Sequence, residues 1–137
     1  MPTFAAPPFP KGNLSAAWGA SVATAITELQ QGAWTAFPFS APWTNWAVLD
    51  PSWQVCQYRK VGDIVQFRGL AYKNSSSSTT MGVMPVGFRP LGRLHFPATC
   101  DAGHTYVIPD VDGQVWLSPG PSAGGWVTIS NVRYSVV

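Results

Sequence analysis

Charge is what this chain has least of. Only 10% of its 137 residues are Asp, Glu, Lys or Arg, against about 25% in an average soluble domain. Eight Lys and Arg face six acids, for a net charge of +2, and the basic residues form no run and no aromatic-interleaved stripe. The electrostatic footprint of a nucleic-acid-binding protein is therefore missing, and no nucleic-acid partner is expected. Glutamate occurs once, at Glu28, and His and Cys twice each, so catalysis has few titratable groups to draw on. Four of the five aspartates stand in turn contexts, at Asp50-Pro51, Gly62-Asp63, Asp101-Ala102-Gly103 and Asp112-Gly113, and turn duty accounts for them. Asp101, His104, Asp110 and Asp112 are the one concentration of possible metal ligands, and their spacing matches neither an EF-hand nor a zinc signature. The G-x-S-x-G elbow, the P-loop and the dinucleotide fingerprint are all lacking. No cofactor, metal or catalytic residue is expected, and the protein reads as a non-enzyme.

Long apolar runs are also lacking. None approaches 18 residues, and Met1-Pro2-Thr3-Phe4 opens no charged n-region, so neither a membrane span nor a secretory signal is expected, and folding in a cytoplasm is. The Asn-x-Ser sequons at Asn13 and Asn74 then carry no meaning. Cys56 and Cys100 are expected as buried free thiols, since their spacing gives no ground for a bridge.

Aromatic residues, by contrast, are abundant: 13% of the chain, with seven Trp, beside thirteen each of Gly and Pro. So few charges cannot cover the surface of one domain of this length, and exposed aromatic area belongs in an assembly or a binding surface. A homo-oligomer is expected.

Residues 1–12 hold four Pro with Phe4 and Phe9 between them, the pattern of an extended attachment arm. Residues 13–32 read as a short helix, with Asn13 as N-cap, Trp18, Val22, Ile26 and Leu29 along one side, and Gly32 as the stop. Two heptads are too few for an independent coiled coil, so the helix either packs on its own domain or bundles with symmetry mates. Residues 33–54 carry Trp34, Phe37, Phe39, Trp43, Trp46 and Trp53, broken by Pro38, Pro42 and Pro51. Those prolines forbid a long helix or a central strand, leaving an aromatic connecting segment. Read as a sugar platform, the segment has only Asn45, Asp50 and Gln54 as polar partners.

From residue 55 to 137 the pattern is β. Gly62-Asp63 predicts a type II′ hairpin that pairs Tyr58 with Phe67 and Lys60 with Val65 on one face and leaves Gln57, Arg59, Gln66 and Arg68 on a polar one. Asp112-Gly113 predicts a second, type I′ hairpin, with Tyr106, Ile108, Val115 and Leu117 on one face and Val107, Pro109 and Trp116 on the other. Between them, Leu94, Phe96, Ala98 and Cys100 alternate with Arg93, His95 and Thr99 as a half-buried strand. In the closing run, Val127 and Ile129 fall out of phase with Val132 and Tyr134, and a bulge near Ser130-Asn131 would restore a common face. The whole reads as an all-β, antiparallel sandwich or barrel behind a Pro-rich arm and one short α-helix.

Trp43-Thr44-Asn45-Trp46, Tyr58-Arg59-Lys60-Val61-Gly62-Asp63-Ile64-Val65, Arg68-Gly69, Met84-Pro85-Val86-Gly87-Phe88-Arg89-Pro90, Asp112-Gly113-Gln114-Val115, Trp126-Val127-Thr128-Ile129 and Val132-Arg133-Tyr134-Ser135 follow one another in this order. The order resembles the C-terminal β-domain of bacteriophage tail-fibre and minor tail proteins, over roughly residues 43–137. The resemblance implies a jelly-roll or galectin-like sandwich, commonly trimeric, on the virion surface, often touching the bacterium. The expected function is that of a virion structural protein, a tail or tail-tip component whose β-domain binds host-surface polysaccharide. The alternatives are a capsid decoration or head-fibre protein and a small glycan depolymerase.

Candidate binding residues lie in the loops, at Asn74, Ser75, Ser76, Asp101, His104 and Ser122. Candidate trimer-interface residues are Trp18, Val22, Leu29, Val107, Pro109 and Trp116. Phe4, Phe9, Trp34 and Phe37 are candidates for attachment to other virion proteins through residues 1–40.

Overall fold

Alternation of apolar and polar residues through 57–68 produces the hairpin it predicts, at the predicted register. β3 (Gln57–Val61) and β4 (Ile64–Arg68) pair Tyr58 with Phe67, Lys60 with Val65 and Val61 with Ile64. Gly62 takes φ 59° at the first turn position, the left-handed backbone that a type II′ turn asks of that residue. Tyr58, Val65 and Phe67 are buried, while Gln57, Arg59, Gln66 and Arg68 lie on the opposite face.

The structure is a computed structural model that describes Val22 and residues 32–74, 79–121 and 124–137. The chain divides into two units, Met1–Gly32 and Ala33–Val137. The expected arm and helix, with Phe4, Phe9, Trp18 and Leu29, lie outside the described residues, apart from Val22, which is helical and half-buried. No helix among the described residues is long and apolar enough to cross a membrane.

Beside β3 and β4, the described strands are β1 (Thr35–Ala36), β2 (Trp43–Asn45), β5 (Leu70–Lys73), β6 (Thr80–Val83), β7 (Phe96–Cys100), β8 (Gly103–Pro109), β9 (Gln114–Ser118), β10 (Trp126–Thr128) and β11 (Arg133–Ser135). They form two sheets, ordered β1-β3-β4-β11 and β2-β5-β10-β7-β8-β9-β6. One core lies between them. Tyr58, Val65, Phe67 and Tyr134 from the first sheet meet Ala71, Met81, Cys100, Val107, Val115, Leu117 and Val127 from the second. Phe67 takes the edges of Phe37 at 5.2 Å and of Tyr134 at 5.9 Å between ring centroids. The fold is the all-β antiparallel sandwich that the sequence predicts. β1 and β2, drawn from the proline-broken segment, occupy sheet edges, where a missing ladder N–H costs least. Cys56 and Cys100 are buried free thiols.

The second hairpin differs from expectation by one residue. Tyr106 pairs with Ser118, Val107 with Leu117 and Pro109 with Val115. Asp110 O accepts the Gly113 N–H at 2.9 Å, Asp110 N–H donates to Gln114 O at 2.9 Å, and Gly113 takes φ 93°. This is a type I turn closed by a glycine bulge rather than a two-residue type I′ turn. The single extra residue exchanges the faces of β8 relative to β9. Val107 therefore joins Val115 and Leu117 in the core at 0% exposure, which leaves it no surface for the subunit contact expected of it. Pro109 is buried. Trp116 is half-buried opposite Ile108, with the Arg93 guanidinium 5.3 Å from its ring centroid.

Candidate binding surface

The β-strand pair that shapes the surface crosses from one sheet to the other. β4 and β11 pair in the smaller sheet, and β5 and β10, continuing the same two chain runs, pair in the larger. At the corner the Phe67 N–H donates to Val132 O at 3.0 Å and the Ile129 N–H to Gly69 O at 3.0 Å. Arg68 alone thus stands opposite Ser130 and Asn131, the two-against-one count of a β-bulge. The bulge falls where the phase of Val127, Ile129, Val132 and Tyr134 requires it, and all four are buried. Its larger consequence is the corner itself: one run serves two sheets. Gly69 permits the crossing. It has φ 119°, and a Cβ there would lie 2.5 Å from Cys56 Cα and 2.6 Å from Val55 O. Its N–H donates to Ser130 Oγ at 3.0 Å, tying the two chain runs together.

Three cavities adjoin this corner, and each is lined in part by Ser130. The first, about 640 Å³, lies on the outer face of the larger sheet between Trp46, Trp53 and Trp126, with Asp50, Gln54, Leu70 and Thr128 at its edges. Trp126 and Thr128 face outward because Val127 between them is fully buried. Trp46 is held edge-on to Tyr72, 5.4 Å between centroids, and Trp53 is 51% exposed. The Ser52 hydroxyl at 2.7 Å and the Ser52 N–H at 3.1 Å both donate to Asp50 Oδ1 and hold its carboxyl below the usual range. Gln54 Nε2 donates to Val55 O at 3.1 Å.

The second cavity, about 410 Å³, brings His104 and Thr99, opposite one another on β8 and β7, beside Thr128 and Asn131. The third, about 390 Å³, lies around the corner on the smaller sheet, lined by Trp34, Gln66, Arg68, Asn131 and Arg133 among others. Arg59, Gln66 and Arg133 form one row across β3, β4 and β11. Arg68 donates through Nε at 2.8 Å and Nη2 at 2.5 Å to Gln57 Oε1. The guanidinium carbons of Arg68 and Arg59 lie 4.0 and 4.3 Å from the Trp34 ring centroid. Scattered through the sequence, three of the eight basic residues are gathered by strand register onto one face. No acidic residue lines this third cavity among the described residues.

Two of the expected loop residues fall at the end of the larger sheet. Asn74 and Asp101 are exposed there. Gly124 N–H donates to Lys73 O at 2.7 Å and Asp101 N–H to Trp126 O at 3.2 Å, which draws the 74, 101 and 124 segments together. Ser75, Ser76 and Ser122 lie outside the described residues. His104 sits not in a loop but on β8, in the second cavity. Of the expected attachment residues, Trp34 is half-buried beneath the arginines, and Phe37 is in the core at 5% exposure. Sequence reasoning missed the arginine row and the meeting of Trp46, Trp53 and Trp126. The polar face of the first hairpin held half the signal, since Arg59 and Arg68 were already placed on it.

Among the described residues no group of three or more His, Cys, Asp or Glu is arranged to hold a metal ion. Away from these cavities, Arg93 and Asp110 form an ion pair at 2.7 Å. What the surface offers chemically is ring faces and neutral hydrogen-bonding groups, with the Asp50 carboxyl at the edge of the first cavity and guanidinium groups at the third.

No protein-family model matches the chain, and no curated protein resembles it in sequence. Among solved structures, its fold is similar to that of the receptor binding protein (gp15) of Listeria phage PSA. The TM-score is 0.61 at 14% identity, over 88% of this chain and 74% of that one.

Proposed function

We propose that this chain is a bacteriophage virion protein, a tail or tail-tip component whose β-sandwich binds the surface of the host bacterium. The observation that carries the reading is a fold shared over most of both chains with a phage receptor binding protein. The motif order from Trp43 to Ser135 supports it independently, since it resembles phage tail β-domains. The activity is binding rather than turnover. Cavity and loop chemistry agree with this: indole faces beside Asp50, Gln54, Thr128 and Ser130 suit sugar rings and hydroxyls, and exposed Asn74 and Asp101 add adaptable polar groups at the sheet end. Residues 1–40 hold the protein to other virion proteins, and the β-domain assembles as a homotrimer, as phage tail β-domains commonly do.

Fluorescently labelled protein is to be incubated with a panel of Gram-positive and Gram-negative bacteria. The expected result is selective adhesion to some strains, lost when their surface polysaccharide is stripped. Adhesion to none would overturn the reading. Gold labelling of particles separates the two virion positions, with a few copies at the tail expected and many on the head pointing to a decoration or head-fibre protein. Sedimentation equilibrium is expected to give a species of three 14.7 kDa chains.

A further inference from the structure

We infer that the groove from Trp126, past the Ser130–Asn131 bulge, to Arg68 and Arg133 binds an anionic polysaccharide, with sugar rings on the tryptophans and a carboxylate or phosphate on the arginines. The inference rests on the host-binding reading and names the ligand class and the site.

Three observations carry it. First, the aromatic and the basic cavities are neighbours that share Ser130 as lining, so an extended polymer can occupy both across the corner. The first cavity alone falls in the ~300–1,000 Å³ range of small-ligand sites. Second, the polar groups between them retain hydrogen-bonding capacity. Ser130 Oγ accepts the Gly69 N–H and keeps its own proton to donate, and Asn131 gives its amide N–H to Pro97 O and keeps its carbonyl to accept. Ring faces flanked by such groups suit a pyranose, which presents C–H bonds on its faces and hydroxyls at its rim. Third, the basic end is fixed in place. Arg68 is half-buried over Trp34 and donates through Nε and Nη2 to the neutral amide of Gln57. Its charge is therefore held in a defined plane without being neutralised by that partner. A guanidinium has five N–H donors, so donors remain for a carboxylate or phosphate, and the adjacent Arg133 is exposed.

Other occupants fit less well. Residues 1–31 contain one acid, Glu28, and cannot match two guanidinium groups. A second copy docked symmetrically would bring its own arginine row against this one. A nucleic acid tracks a run of cations along its backbone, whereas here the polymer would leave the arginines for a cavity edged by Asp50.

The test uses the intact chain and four probes: polygalacturonate, poly(glycerol phosphate), neutral dextran and oligo(dT). Binding is read by tryptophan fluorescence at graded salt. One or both anionic polysaccharides are expected to bind, more weakly as salt rises, and which one binds tells carboxylate from phosphate. Arg133→Gln and Trp126→Ala, with Arg68→Gln as a third variant, are each expected to weaken that binding by about tenfold or more, the loss of one well-placed contact. Circular dichroism and melting establish that each variant is folded, and exposed Arg133 is the variant least able to disturb folding. No binding to either anionic polymer, equal binding of dextran, preference for oligo(dT), or folded variants that bind as the parent does would each overturn the inference. The same variants applied to cells separate it from the broader reading. Parent and variants adhering alike would remove the groove and leave host binding intact. Polymer binding through the groove without adhesion to any cell would leave the groove and remove host binding.

Discussion

Replacing Gly69 by Ala tests the corner on which the whole surface depends. The added Cβ would meet backbone only, at 2.5 Å from Cys56 Cα, 2.6 Å from Val55 O and 2.7 Å from Cys56 N. No flexible side chain can yield. The chain has to move, and the 54–56 segment is held by Leu70 N–H to Gln54 O at 3.2 Å, Phe37 N–H to Cys56 O at 3.0 Å and Cys56 N–H to Asn45 Oδ1 at 2.5 Å. Strain at φ 119° adds about 1–3 kcal/mol, and loosening two of those hydrogen bonds adds about 1–3 kcal/mol more. The expected loss is about 2–6 kcal/mol, a large share of the ~5–15 kcal/mol that holds a domain together. Gly62→Ala is the control, because it also has a positive φ, 59°, but nothing within 4 Å of the added Cβ. It should show the strain alone. Urea unfolding followed by tryptophan fluorescence should place the Gly69→Ala midpoint below that of Gly62→Ala by roughly 0.3–3 M, the hydrogen-bond loss divided by a slope of ~1–3 kcal/mol/M. Midpoints that coincide, or the reverse order, would refute the close-packed corner.

Tyr134 donates its hydroxyl to Phe88 O at 2.6 Å, so Tyr134→Phe should cost about 1 kcal/mol in urea unfolding at neutral pH. Burial pushes the Tyr134 hydroxyl well above the usual tyrosine range. Above the unfolded value of about 10 the unfolded chain loses this proton first, so stability falls as pH rises, and Tyr134→Phe should lessen that alkaline loss in melting curves. Asp110 is held below the usual carboxylate range first by the hydrogen bond from Arg93 Nε at 2.9 Å and then by the Val111 N–H at 2.7 Å. The stability this confers is present above the unfolded value near 4 and lost as pH falls toward the folded one, and Arg93→Gln should flatten that acid limb. Burial pushes the Cys56 thiol up to about 12, so Ellman's reagent at pH 8 should label it only at the rate of unfolding, measured in parallel by fluorescence; fast labelling of the native protein would contradict its burial.

Period-two alternation was enough to place the first hairpin, because Tyr58 and Phe67 must face inward and any slip would put Arg59 and Gln66 in the core. The second hairpin was legible as a hairpin but not in register. Asp112-Gly113 serves a two-residue type I′ turn and a type I turn with a glycine bulge equally well, and the Asp110 carboxyl at the base of the turn is held by Arg93, 17 residues away in the chain. Both faces of that hairpin also carry apolar residues, Ile108 and Trp116 as well as Val107 and Leu117, so burial pattern gave no independent check on the face. The bulge at Ser130-Asn131 was legible because four apolar residues fell out of phase. That it turns a corner between sheets was not, since the partner run with Gly69 lies 61 residues away.

The groove shows the same limit from the side of function. Arg59 and Arg68 sit on one hairpin face in the sequence, but Arg133 joins them only through the pairing of β11 with β4, and Trp126 lines a cavity that shares Ser130 with theirs only because the same run crosses to β10. A sequence scan for basic clusters scores neighbours along the chain, and in a sandwich the neighbours are across strands. Low overall charge makes this more consequential: with eight cations in 137 residues, three on one face leave that face strongly biased without moving the net charge. Binding chemistry on such a fold is set by register, and a single residue added at or removed from the bulge would turn Ser130 and Asn131 to other faces and part the tryptophans from the arginines.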